Sequence, residues 1–98
     1  MKVEFADKRL AQIMTDEAHK LGLPIAVINA ARKKIHYLMQ SPDERTLRNL
    51  ASLNYKKLQG DKDGKRSIRV NSQYRIEFTL DNEEHPPIIR ITEIGDTH

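Results

Sequence analysis

Apolar and polar residues alternate with a period of two in two neighbouring stretches of this chain. Ile68 and Val70 alternate with Ser67 and Arg69, and Ile76, Phe78 and Leu80 alternate with Arg75, Glu77 and Thr79, the pattern of half-buried strands. The connection between them restricts the register, because residues paired directly across an antiparallel hairpin share a face. A two-residue loop at Asn71 and Ser72 pairs Ile68 with Arg75 and places an arginine in the core. A three-residue loop, Asn71 to Gln73, pairs Val70 with Tyr74, Ile68 with Ile76 and Arg69 with Arg75, and this is the register predicted. Asn71 tolerates the left-handed conformation that such a loop often needs.

Elsewhere the pattern changes. Val3 and Phe5 fall on one side of a short extended segment, with Lys2 and Glu4 on the other. Leu10, Ile13, Met14, Ala18 and Leu21 recur at helical spacing, which predicts a helix capped by Asp7 and stopped by Gly22. Pro24 opens a second helix running to about Gln40, with Val27, Ile28, Ala31, Ile35, Leu38 and Met39 on its apolar stripe. Its run Arg32, Lys33, Lys34 lies partly on the polar face, as a solvated surface or a binding one. Ser41-Pro42 ends that helix, and Leu47 and Leu50 suit a short helical turn or an irregular connector. Leu53, Tyr55 and Leu58 begin a further strand leading to Gly60-Asp61, and Asp63-Gly64 is a hairpin-type turn signal. After a polar loop over residues 81–87, the segment Ile88 to Ile94 is apolar on both sides, which predicts a strand interior to the sheet. The order is that of an α+β domain: two N-terminal helices on one face of a mostly antiparallel sheet of four to five strands.

A chain of 98 residues makes one domain spanning residues 1–98, and it buries roughly 60 to 70 % of its unfolded surface, enough for a small core without staples. There is no cysteine, which excludes disulfides and thiolate metal sites and permits a reducing compartment. No apolar run approaches a membrane span and the N-terminus lacks a signal-peptide core, so a cytoplasmic protein without a membrane partner is expected. The formal net charge of +3 is a weak argument for nucleic acid by itself. Its concentration between Tyr55 and Phe78 is a stronger one. Arg69 beside Arg75 brings two repelling guanidinium groups together, which points to an anionic partner, phosphate first. A solvated charged face with Glu77 as counter-ion is the other reading.

The spacings of phosphate-binding loops, dinucleotide folds, nucleophile elbows and zinc helices are missing. No metal and no cofactor is expected. His19 and His36 read as partly exposed helix residues and His85 as an inert loop residue. His98 differs, because Asp96 stands two positions before it, and on extended chain the two side chains point the same way. A functionless terminus is the alternative for this pair.

The run KLQGDKDGKRSIRVNSQYRIEF, followed by a strand ending EIGDTH, resembles the HigB-type branch (plasmid maintenance killer proteins) of the RelE superfamily of toxins. In that branch a segment L-x-G-D-x-x-G-x-x-S-I-R-[VI]-N-x-Q-[WY]-R-[IL]-x-F precedes a strand ending E-I-V-D-Y-H. The resemblance in sequence covers about half of the chain, and the order of elements extends it to the whole. It implies a RelE-like fold and the toxin of a type II toxin-antitoxin pair. Such toxins are endoribonucleases that cut messenger RNA on the ribosome and are silenced by a helix-turn-helix antitoxin, here HigA-like, which alone links them to DNA. Carried over by position, His98, Asp96 and Arg75 match family site residues. Thr97 stands where the family usually has tyrosine, and Lys56 stands near where several relatives carry histidine.

RNA supplies its own nucleophile, the 2'-hydroxyl, so cleavage requires a base, cations for the pentavalent phosphate and an acid for the leaving 5'-oxygen. Charge stabilisation is assigned to Arg75 and Arg69, proton transfer to His98 with Asp96, and phosphate contact with acid or base help to Lys56. Lys57 and Arg66, with Arg69, are assigned to the RNA backbone. Two alternatives stay open: a non-catalytic module that binds its antitoxin, and a ParE-like toxin directed at topoisomerase.

Overall fold

The computed structural model describes residues 1–58 and 64–96. The expected Gly60-Asp61 stretch, Asp63 of the hairpin-type turn, and Thr97 and His98 lie outside the described residues. Five strands form one sheet in the order β1-β5-β4-β3-β2: β1 Lys2–Phe5, β2 Lys56–Lys57, β3 Arg66–Arg69, β4 Tyr74–Asp81 and β5 Ile88–Asp96. Only β1 runs parallel to its neighbour, β5, while the remaining pairs are antiparallel. Three helices, α1 Lys8–Ala11, α2 Ile25–Gln40 and α3 Glu44–Asn49, lie with several 3-10 turns on one face. The α+β expectation is met.

The hairpin register follows from the alternation. Ile68 pairs with Ile76 and Arg69 with Arg75, and Val70 N–H donates to the Tyr74 carbonyl at 2.9 Å. Ile68, Val70, Ile76, Phe78, Ile89, Ile91 and Ile94 face the helices and join Leu10, Ile13, Val27, Ile28, Ile35, Leu38, Leu47 and Leu53 in one apolar core. The turn differs in its means. Asn71 keeps a negative φ, since Asn54 is the non-glycine residue with positive φ among those described. Its side chain shapes the loop instead, Oδ1 accepting from the N–H groups of Gln73 at 2.9 Å and Tyr74 at 2.8 Å. Asn side chains compete well for such local bonds.

The first helix is shorter than its apolar spacing predicts. Asp7 caps it, accepting from Leu10 N–H at 2.8 Å, but α1 gives way to 3-10 turns at Gln12–Met14 and Ala18–Leu21. Between them Thr15 is extended (φ −121°, ψ 173°), and its hydroxyl accepts from Glu17 N–H. The freed carbonyls of Ile13 and Thr15 each accept from the Arg32 guanidinium at 2.6 Å, as cations do at helix C-termini. Arg32 is therefore a brace, and Lys33 is the exposed residue of the basic run on α2. Gly22, at φ 71°, ends the segment as expected.

Helix α2 begins after Pro24 and buries Val27, Ile28, Ala31, Ile35 and Leu38. Met39, expected on that stripe, is 49 % exposed because it falls one position beyond the buried Leu38 and points off the face. The connector after Ser41 becomes α3, capped by Asp43, whose carboxylate accepts from Arg45 and Thr46 N–H. It buries Leu47 and leaves Leu50 38 % exposed.

Strand β5 is interior, as expected, but one residue breaks its alternation. Glu77 pairs with Glu93 whereas Phe78 pairs with Ile91, so Thr92 is an extra residue, a β-bulge. The bulge lets Ile91 and Ile94 share the core face although they stand an odd number of positions apart.

Candidate functional site

The face of the sheet away from the helices is polar, and its cationic part lies where β2, β3 and β4 meet. Lys56 pairs with Ser67, Ser67 with Glu77 and Arg69 with Arg75, so these residues share this face. Arg69 and Lys56 are exposed, while Arg75 is half-buried. The Arg75 guanidinium is held in place, Nε donating to Ser67 Oγ at 2.9 Å and Nη2 to the Asn54 carbonyl at 2.6 Å. Asn54 is left-handed (φ 46°, ψ 51°) at the end of a 3-10 turn, a conformation Asn accepts more readily than most residues.

Burial, and then the charge of Arg69, pull the Arg75 pKa below the usual arginine range, with Glu77 opposing them. It stays protonated near neutrality, since arginine titrates far above that. Two cations held together against their repulsion form a ready site for an anion.

The other cationic residues predicted for this site are placed differently. Arg66 pairs with Phe78 and Lys57 with Arg66, which puts both on the helix side of the sheet edge. Lys57 is exposed there. Arg66 is ion-paired, its Nε donating to Glu44 Oε2 at 3.2 Å with both side chains largely buried, and its Nη1 donates to the Gly64 carbonyl at 2.6 Å. Arg66, expected to serve an RNA backbone, thus has its charge matched inside the fold. The same carboxylate accepts from the Tyr55 hydroxyl and from Arg48 at 3.3 Å. Tyr55 stacks on Phe78 with ring centroids 6.3 Å apart, and Arg48 lies 5.9 Å above its ring. Burial pushes the Glu44 pKa up, but Tyr55, Arg48 and Arg66 outweigh it and hold the carboxyl below its ordinary value. Burial and the bond to Glu44 push the Tyr55 phenol well above its own.

Asp96 pairs with Tyr74 and so lies on the helix side of the pleat, at the hairpin end, where its Oδ2 accepts from Gln73 Nε2 at 2.7 Å. The structure therefore brings Arg75, Arg69 and Lys56 onto one face and sets Asp96 on the other, at the end of the strand that leads to His98. His19, His36 and His85 are exposed. Among the described residues no three His, Cys, Asp or Glu side chains are grouped to hold a metal ion, and no helix is long and apolar enough to cross a membrane. Sequence reasoning missed Ser67, Asn54 and Glu44. Ser67 occupies an ordinary polar position of an alternating strand, and Asn54 contributes a backbone carbonyl that carries no side-chain signal.

Solved structures share this arrangement of chain. YafQ from E. coli strain BL21(DE3) superposes with a TM-score of 0.66 at 17 % identity, over 98 % of this chain and 92 % of that one. The YoeB/ParE toxin from Agrobacterium tumefaciens gives 0.55 at 13 % identity, over all of both chains. YafQ in the E. coli DinJ-YafQ toxin-antitoxin complex gives 0.59 at 20 % identity, over 97 % and 90 %. The fold is thus that of the small RelE-like toxins.

Sequence narrows the class. The model of the HigB-like toxin family, the RelE-like toxin of the type II toxin-antitoxin system HigB, matches residues 3–87. Toxin HigB-1 of Vibrio cholerae serotype O1 (strain ATCC 39315 / El Tor Inaba N16961) is 36 % identical over 78 residues, 80 % of this chain and 82 % of the relative. The chain belongs to the HigB-like toxin family of type II toxin-antitoxin systems.

Proposed function

We propose that this toxin is a ribosome-dependent messenger RNA endonuclease, and that the Arg69–Arg75 face is where it holds the scissile phosphate. The observation that carries the reading is the cross-strand pairing of the two arginines with one of them fixed by hydrogen bonds. A base removes the 2'-hydroxyl proton, the resulting oxyanion attacks the adjacent phosphorus, and the 5'-oxygen leaves with a proton from an acid, giving a 2',3'-cyclic phosphate and a 5'-hydroxyl. Arg75 and Arg69 neutralise the charge that builds on the non-bridging oxygens. Lys56, on the same face, contacts the phosphate. His98 transfers protons, an assignment that rests on the family's D-x-H ending, and Asp96, bonded to Gln73 on the other face, anchors the strand end before it. Lys57 flanks the site at the sheet edge, and Arg66 belongs to the fold. A helix-turn-helix antitoxin is the silencing partner, as the DinJ-YafQ complex of the structural relative suggests.

Mapping RNA 5' ends after brief expression tests the reading. Cuts clustered in translated frames are expected, while intact messages would leave an antitoxin-binding module and DNA damage would mean a topoisomerase target. Replacing His98 by Gln is expected to slow single-turnover cleavage by about 10²-fold, the scale of general acid-base help, with ribosome binding nearly unchanged. A wild-type rate with an unaltered pH profile would make His98 a bystander. Ribosome binding is also expected to weaken steeply with added salt as phosphate counterions are released, and removing Lys57 should lower the slope by about one charge. A flat salt response would refute a phosphate-led interface.

A further inference from the structure

We infer that Ser67 and Asn54 are positioning residues that select which edge of the Arg75 guanidinium meets the phosphate, an inference that rests on the role proposed above for Arg75. A guanidinium offers five N–H groups arranged as two usable forks, one side-on through Nε and Nη2, the other end-on through Nη1 and Nη2. Ser67 Oγ and the Asn54 carbonyl take the side-on fork, at 2.9 Å and 2.6 Å. The end-on fork makes no further hydrogen bond to the described residues, and it provides two parallel donors of the kind that bind a phosphate in bidentate fashion.

Both anchors are themselves fixed. Ser67 is only 1 % exposed and is paired on both sides, with Lys56 of β2 and Glu77 of β4. Asn54 N–H donates to the Ala51 carbonyl at 3.0 Å, closing the 3-10 turn just before β2, and its left-handed backbone turns its own carbonyl toward Arg75. An exposed arginine loses much rotamer freedom on grasping a ligand, whereas this one is ordered beforehand. Arg69 has no such anchors among the described residues and supplies charge without direction. The two arginines therefore divide the work: Arg75 sets the phosphate's orientation, and Arg69 adds to the field.

The test measures single-turnover cleavage of messenger RNA on programmed ribosomes. Ser67→Ala is expected to slow the chemical step about tenfold while ribosome affinity stays within about twofold, because no charge is lost. Ser67→Thr, which keeps the hydroxyl, should recover most of the rate. In an Arg75→Lys background Ser67→Ala should cost nothing more, since an ammonium has no second edge to orient. The Arg75 Nε–H resonance should exchange slowly with water in the wild type and rapidly in Ser67→Ala. Asn54→Val, whose branched side chain disfavours the left-handed backbone, should give the same rate loss and serves if Ser67→Ala does not fold. A wild-type rate in both variants, or an equal Ser67→Ala loss in the Arg75→Lys background, overturns the inference. If Arg75→Lys itself cleaves at the wild-type rate, it is the role of Arg75 that fails.

Discussion

Replacing Arg75 by alanine is expected to lower messenger RNA cleavage by about 10²- to 10³-fold, the usual cost of removing a group that stabilises transition-state charge. Growth arrest on expression should disappear with it. From the alternating pattern alone the residue faces solvent, and its loss would leave stability untouched. The structure revises that second half, because Arg75 is half-buried and bonded to the buried Ser67 hydroxyl. Its removal leaves that hydroxyl without its partner, at a cost of about 1 to 2 kcal/mol. Thermal melting alongside the cleavage assay separates the two effects. A variant that cleaves within about threefold of the wild type removes Arg75 from the chemistry, and one that no longer folds makes it chiefly a structural residue.

The largest expected effect on stability lies elsewhere, at Glu44. Its carboxylate is the common acceptor of Tyr55, Arg48 and Arg66, and it joins α3 to the strand edge that carries Lys56. Glu44→Ala strands the Arg66 charge, whose side chain is only 14 % exposed. Breaking a fully buried pair costs about 3 to 5 kcal/mol, so partial exposure suggests about 2 to 3 kcal/mol here. For a domain of this size that is a fall in Tm of about 10 °C or more. Tyr55→Phe, which keeps the ring on Phe78 and removes only the hydroxyl, should cost about 1 kcal/mol. The pH dependence has a definite sign. The folded pKa of Glu44 lies below its ordinary 4.5, so the stabilisation is complete above that value and disappears as pH falls through the lower, folded one. Urea melts at neutral and strongly acid pH should therefore show the gap between wild type and Glu44→Ala closing in acid. A gap that persists unchanged would mean that packing of the side chain, and not its charge, is what matters.

The parts of this molecule that could be read from the chain are those set by local alternation. The β3–β4 register was legible because only one loop length keeps an arginine out of the core, and Val3 and Phe5 marked β1 in the same way. What could not be read depends on partners distant in sequence. The break at Thr15 is secured by Arg32, and the apolar spacing from Leu10 to Leu21 fits an unbroken helix equally well. The family motif supplied no hint that Arg66 is neutralised by Glu44, because nothing in spacing links two residues so far apart. Of the candidate site, the arginine pair was visible and its anchors were not. A serine in an alternating strand and a backbone carbonyl in a turn look like any others until the chain is folded.

The extra residue at Thr92 decides more than the placement of Ile94. Strand β5 enters the sheet with Ile89 and Ile91 toward the helices, and without the bulge the residues that follow would keep that phase. Glu93 and Gly95 would then turn inward, while Ile94 and Asp96 would turn toward the arginines. The bulge is thus a parity switch for the end of the chain: straightening it with Thr92 retained would exchange the two faces of everything beyond it, whereas deleting Thr92 would remove the extra residue and leave those faces as they are. Straightening, unlike deletion, would drive Glu93 into the core. With Thr92 present, the sheet has one arrangement of this terminus that satisfies both the apolar interior and the cationic face, and the bulge is what permits it.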